Sequence, residues 1–181
     1  DGEKSYFKNG QGMWNTNAKY WFRKVATWYH MSKTSKTRYF LWLDCDIRFK
    51  RKIDDEFFNF IKSYDTCYIF RPLRQQGMHE GFVGSPPETG IVSFDLENEN
   101  VKNFISHIFN SFLSGDIFKN EPRWDDTWAY GKALNNHFSD LLNCGIFNNK
   151  FVSLNEPYVD AEKVSRFDIY NDYFKHYKKN I

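Results

Sequence analysis

The feature that most constrains this chain is the stretch YFLWLDCDIRF at residues 39–49. Five aromatic or aliphatic residues, with no Gly or Pro among them, run straight into Asp44 and Asp46. One cysteine separates the two acids, and the chain then turns basic through Arg48, Lys50, Arg51 and Lys52. Such a composition predicts a strand. A buried strand holds its end rigidly, and open α/β sheets bind ligands beyond the carboxyl ends of their strands.

The strand period of two predicts that Asp44 and Asp46 share a side. Two carboxylates facing one way repel unless something positive lies between them. A hard divalent cation with oxygen ligands, Mg²⁺ or Mn²⁺, meets that need and also binds phosphate oxygens, so the implied third party is a diphosphate. The plainer alternative is two surface acids at a strand end, paired with Arg48 or Lys50.

The surrounding sequence supplies an α/β alternation. Residues 17–31 place Tyr20, Trp21, Val25, Trp28 and Tyr29 near helical spacing, with Asn15 or Thr16 as the cap. DDEFFNFIKSY, starting at Asp54, reads as a second helix, and residues 66–70 as a strand. Residues 71–88 hold three glycines and three prolines and read as a long loop, the kind that often carries function. TGIVSF at residues 89–94 is a strand, residues 101–113 an amphipathic helix, residues 122–126 a turn, and residues 127–135 the start of another helix. Residues 151–154 read as a last strand before an aromatic, basic tail. No repeat or low-complexity tract interrupts the order, and 181 residues suit one domain over 1–181.

Composition narrows the partners. A net charge of +2 argues against a dedicated nucleic-acid binder, and runs of Lys and Arg usually form solvated faces. Aromatics at 20% are high. Codon bias in an AT-rich genome explains that most simply; a site stacking bases or sugars is the sharper reading. Cys45, Cys67 and Cys144 are odd in number and not at metal-ligand spacing, which predicts neither a disulfide framework nor a zinc site, and a reducing, cytoplasmic setting. No apolar run is long enough for a membrane span and no signal peptide is evident. The first residue is Asp rather than Met, so an upstream segment is expected, either removed or lying outside these 181 residues.

YFLWLDCDIRF resembles the strand-plus-D-x-D signature of glycosyltransferases of the GT-A fold. The resemblance implies that Asp44 and Asp46 hold Mn²⁺ or Mg²⁺ on the diphosphate of a nucleotide-sugar donor, with Asp44 also touching ribose or sugar. PETGIVSFDL, residues 87–96, resembles the glycine-and-strand segment that lines the donor-sugar and acceptor pocket, which implicates Glu88, Thr89 and Gly90. Gly90 would admit a close backbone approach, and Glu88 would accept from sugar hydroxyls unless it is merely an exposed loop acid. RWDDTWAYGKAL, residues 123–134, resembles the acidic pair that faces the acceptor, so Asp125 or Asp126 would be the general base of an inverting reaction. Helix capping is the competing role for one of them. Trp124 and Trp128 would stack on sugar or belong to the core.

The same resemblance implies phosphate contacts for Arg23 and Lys24, a further contact for Arg71, and a third metal ligand in His176 with Lys178 or Lys179 beside it. The tail departs from the family pattern, having Tyr177 and Lys178 where a Gly is usual. The order of elements is most like compact bacteriophage-encoded glycosyltransferases. Modified DNA, a glycan, a lipid-linked sugar, a protein or another hydroxylated molecule would then be the acceptor. GT-A domains devote about 100 residues to a nucleotide-binding half ahead of this motif. Only 43 residues precede Asp44, so that Rossmann-like part is expected to be incomplete, reduced or completed by another chain, and the base specificity is not legible. The leading alternative is a non-catalytic sugar- or partner-binding module. A metal-dependent nuclease or phosphatase would need a further acid or Lys near the metal, in an arrangement this sequence does not present.

Overall fold

A computed structural model describes residues 18–70, 87–119, 125–147 and 173–176 of the chain, the side chains of Phe70, Glu88 and His176 aside. The chain forms two compact units, each made from two stretches of sequence. One is helical and takes the chain up to Thr37 and again Leu96–Leu141. The other is built on a sheet and takes Arg38–Asp95 and the chain from Leu142 onward.

In the helical unit, α1 (Ala18–Thr34) and α3 (Glu99–Ser114) pack together, and α4 (Asp126–Ala133) packs on both. Val101, Phe104, Ile105, Ile108 and Phe112 are all buried, which is the i, i+3, i+4, i+7 stripe of an amphipathic helix. Asn98 caps the start of α3 by accepting the Asn100 N–H. Gly115 ends it at φ 78°, where a glycine avoids the Cβ clash. Aromatic rings join the helices: Tyr29 stacks on Phe109 at 4.1 Å, and Trp28 and Phe104 meet Tyr130 edge-on at 6.2 and 4.9 Å. After α4 the chain makes one π-helical turn, Leu134–Phe138.

The sheet unit carries β1 (Tyr39–Leu43), β3 (Thr66–Phe70), β4 (Pro87–Asp95) and β5 (Cys144–Ile146) in the order β1-β4-β3-β5. β4 is antiparallel to both of its neighbours, and β5 is parallel to β3. A separate ribbon pairs β2 (Ile47–Phe49) with β6 (Phe174–His176). Helix α2 (Asp55–Lys62) is capped by Asp54 and buries Phe57, Phe60 and Ile61 against Cys67, Ile69, Ile91, Phe147, Tyr173 and Phe174. The result is an α/β protein with a mixed, open sheet, compatible with a Rossmann-like arrangement. No described helix is long and apolar enough to cross a membrane.

The strand expected over residues 39–49 is two strands, β1 and β2, with Asp44, Cys45 and Asp46 between them. β5 and β6 were not foreseen, and the strand expected at residues 151–154 lies outside the described residues, as do the caps at Asn15 and Thr16.

β5 is only three residues long and depends on close approach to β3. A Cβ on Gly145 would sit 2.5 Å from Cδ2 of Tyr64 and 2.8 Å from Sγ of Cys67. Gly145→Ala should therefore cost about 1–3 kcal/mol of stability by overpacking. Urea unfolding would show this as a lower midpoint at constant slope; an unchanged midpoint would mean that Tyr64 swings aside freely.

Candidate functional site

The two acids of the D-x-D motif lie in a tight turn. β1 ends at Leu43, and the Ile47 N–H donates to the Asp44 carbonyl at 3.0 Å, closing a β-turn over residues 44–47. Asp44 opens that turn, a position that favours Asp, and Asp46 is its third residue. Strand periodicity therefore does not set their relation, contrary to the expectation from period two; the turn does. Both acids are half-buried. The Trp42 indole N–H donates to Oδ1 of Asp44 at 2.7 Å and so orients that carboxylate from the strand behind it.

Two long-range ladders bring other expected residues to this turn. β1 pairs with β4 from Tyr39↔Asp95 to Leu43↔Ile91, and the Asp44 N–H extends the pairing by donating to the Gly90 carbonyl at 2.8 Å. Gly90 and the buried Thr89 thus adjoin Asp44. On its other side β4 is irregular: Tyr68 pairs with Val92 but Ile69 pairs with Glu88, so Thr89, Gly90 and Ile91 bulge relative to β3. Bulges of this sort re-aim side chains and are frequent beside functional sites. The second ladder, β2 with β6, sets His176 opposite Ile47, the residue after Asp46. Sequence positions 44–46, 89–90 and 176 therefore converge by backbone register.

Beyond β2, Phe49, Lys50, Arg51, Lys52 and Ile53 line a shallow cleft of about 460 Å³. Arg48, Lys50, Arg51 and Lys52 are all exposed, in keeping with a solvated face. Arg51 also lies 3.8 Å over the ring of Tyr173 and within 3.6 Å of Asp54 and 3.5 Å of Glu56. Tyr173 itself was not singled out. Its hydroxyl donates to Oδ1 of Asp54, which holds the Asp54 carboxyl below the usual range. Burial, with that same bond, pushes the Tyr173 phenol up to about 12.

Among the described residues no group of three or more His, Cys, Asp or Glu is arranged to hold a metal ion. The His176 side chain is not among those described. The donors that Asp44 and Asp46 offer are carboxylate oxygens, one of them already oriented by an indole N–H. That chemistry fits a hard cation such as Mg²⁺ or Mn²⁺.

The remaining expected residues divide. Glu88 enters the sheet by its backbone opposite Ile69. Arg71, Trp124, Lys178 and Lys179 lie outside the described residues. Arg23, Lys24, Asp125 and Asp126 belong to the helical unit. There Asp125 caps α4 by accepting the Trp128 N–H at 2.7 Å, and Trp128 is buried. Asp126 is 2% exposed and meets Nζ of Lys24, itself 7% exposed, at 2.9 Å. Arg23 is exposed and lies 5.2 Å over the Tyr20 ring. Both acids of the D-D pair and both basic residues thus have partners within their own unit.

Comparison with known protein families, curated proteins and solved structures finds no match to this chain.

Removing one member of a buried ion pair leaves the other charge stranded. Lys24→Met should cost about 3–5 kcal/mol, whereas Lys24→Met with Asp126→Leu should recover most of the loss. A double-mutant cycle by urea unfolding reads the coupling; additive losses would show that the pair contributes little.

Proposed function

We propose that the chain is a metal-dependent glycosyltransferase of the GT-A type, moving a sugar from a nucleotide-sugar donor to an acceptor hydroxyl. One observation carries the reading: the β1–β4 and β2–β6 registers gather Asp44, Asp46, Thr89, Gly90 and the backbone of His176 around a single turn. These segments carry the family resemblance, and they are scattered over most of the sequence. Bare acids at a strand end would not require a glycine-containing bulge and a late histidine strand beside them.

In this reading Asp44 and Asp46, with His176 as the third ligand, hold Mn²⁺ or Mg²⁺. When bound, the cation supplies Lewis-acid stabilisation of charge on the departing diphosphate. Trp42 keeps the Asp44 carboxylate aimed. Gly90, lacking a side chain, lets the donor sugar approach β4 closely, and Thr89 and Glu88 line that approach. Lys178 and Arg71 complete the neutralisation of phosphate charge.

Arg23 and Lys24 at the phosphates, and Asp125 or Asp126 at the acceptor hydroxyl, belong to the same proposal. The contacts that Lys24, Asp125 and Asp126 make inside the helical unit explain those residues without it, so the reading rests on the sheet unit. Whether the anomeric centre inverts depends on which group serves as the acceptor base.

The test is calorimetric titration of the 181-residue chain with a panel of nucleotide sugars, with and without Mn²⁺. Metal-dependent binding of one donor is expected, with affinity for Mn²⁺ lowered at least about tenfold in Asp46→Asn. Binding indifferent to both metal and Asp46→Asn would overturn the transferase reading and favour a sugar- or partner-binding module.

A further inference from the structure

The β2–β6 ribbon raises a physical problem. It is two strands of three residues each, and an isolated two-stranded ribbon is marginal in water. Yet its register decides whether His176 comes beside the Asp44–Ile47 turn. A slip of one residue would put every side chain of β6 on the opposite face. Something outside the ladder must fix that register.

Tyr173, the residue before β6, is 1% exposed and is held from three directions. Its carbonyl accepts the Lys50 N–H at 2.8 Å, which adds a rung beyond Phe49↔Phe174. Its ring packs 5.2 Å from Phe57 of α2 and lies under the Arg51 guanidinium at 3.8 Å. Its hydroxyl donates to Oδ1 of Asp54, the same oxygen that accepts the Phe57 N–H at 3.3 Å and caps α2. Arg51 is steadied in turn by Asp54 and Glu56. The ladder's far end is thereby fastened to the first turn of a helix whose buried face belongs to the main core.

A phenylalanine would fill the same space. The hydroxyl is what links the strand to a single point on α2, and a buried hydroxyl requires such a partner. We infer that Tyr173 is a positioning residue of the metal site: clamped by Asp54, Arg51 and Lys50, it sets the register of β6 and so holds the backbone of His176 against the D-x-D turn. Tyr173 touches neither metal nor donor, and acts through the three-residue strand that follows it. The inference rests on the reading of Asp44, Asp46 and His176 as metal ligands.

The experiment compares wild type, Tyr173→Phe, Asp54→Asn and Asp46→Asn by Mn²⁺ calorimetry and by the visible absorption of bound Co²⁺, with circular dichroism confirming the fold. Tyr173→Phe should weaken Mn²⁺ about tenfold, the low end of the cost of losing ligand orientation, and should shift the Co²⁺ spectrum while the protein stays folded. Asp54→Asn keeps an oxygen for both the Tyr173 hydroxyl and the helix cap, and should retain wild-type affinity and spectrum. Should Tyr173→Phe not fold, Arg51→Gln takes its place, with the same direction of loss expected and unchanged affinity counting against the inference. If Tyr173→Phe binds metal as wild type does while Asp46→Asn does not, the positioning role is wrong and the proposed function stands. If wild type binds no Mn²⁺, both fall together.

Discussion

The pairing of β1 with β4 is the constraint on which the rest of the sheet unit depends. β4 is hydrogen-bonded on both sides, to β1 and to β3, and is the strand that joins β1 to the rest of the sheet. Ile91, Val92 and Phe94 along it are fully buried. Ile91 is buried on one face of the strand and Val92 and Phe94 on the other, and a shift by one residue would exchange the two sets, so their burial fixes the register. Once Leu43 faces Ile91, the next rung must join Asp44 to Gly90, and that bond is present. Hydrophobic register thus decides which glycine lies beside which aspartate. The bulge on the β3 side then lets Thr89, Gly90 and Ile91 depart from regular pairing without disturbing the β1 side.

Elements with strong local signals were legible in the sequence. β3 falls at residues 66–70 as composition indicates, and α3 follows the spacing of its apolar residues. Asp54 begins α2 because a carboxylate before an apolar helical pattern can satisfy a free N–H. What was not legible is long-range. β5 and β6 have three residues each, too few for any period to register, and they exist because a partner strand is present. The turn at residues 44–47 was hidden for a different reason. Apolar residues on both sides make YFLWLDCDIRF read as one strand, and no Gly, Pro or Asn marks the break. The acids themselves make the turn, since Asp suits its first position.

The two acidic pairs show why motif and role must be separated. Asp125 and Asp126 resemble an acceptor-facing pair in sequence, with helix capping as the competing role for one of them. Asp125 is spent on the first turn of α4, and Asp126 meets a lysine 102 positions earlier, a partner no local pattern reveals. At Asp44 the described side-chain bond comes from a neutral indole N–H, which orients a carboxylate without cancelling its charge. A negative charge that is buried against an ammonium suits a strut.

This contrast also bears on how a site assembled from distant segments can be rigid. Residues 44–46 and 89–90 need little beyond the sheet, since the core that buries β4 holds them as a by-product. The segment at 174–176 gains little from its own ladder, whose Phe49 rung is half-exposed. Its order has to be imported, and the aromatic residues around α2 are where it comes from: Phe57 touches Phe147, Tyr173 and Phe174 at ring separations of 5.2–6.1 Å. An aromatic content that codon bias explains as composition therefore has a local mechanical use. It ties β6 to the helix that follows the basic run, and through that helix to β1, the strand that leads into the turn of the two aspartates.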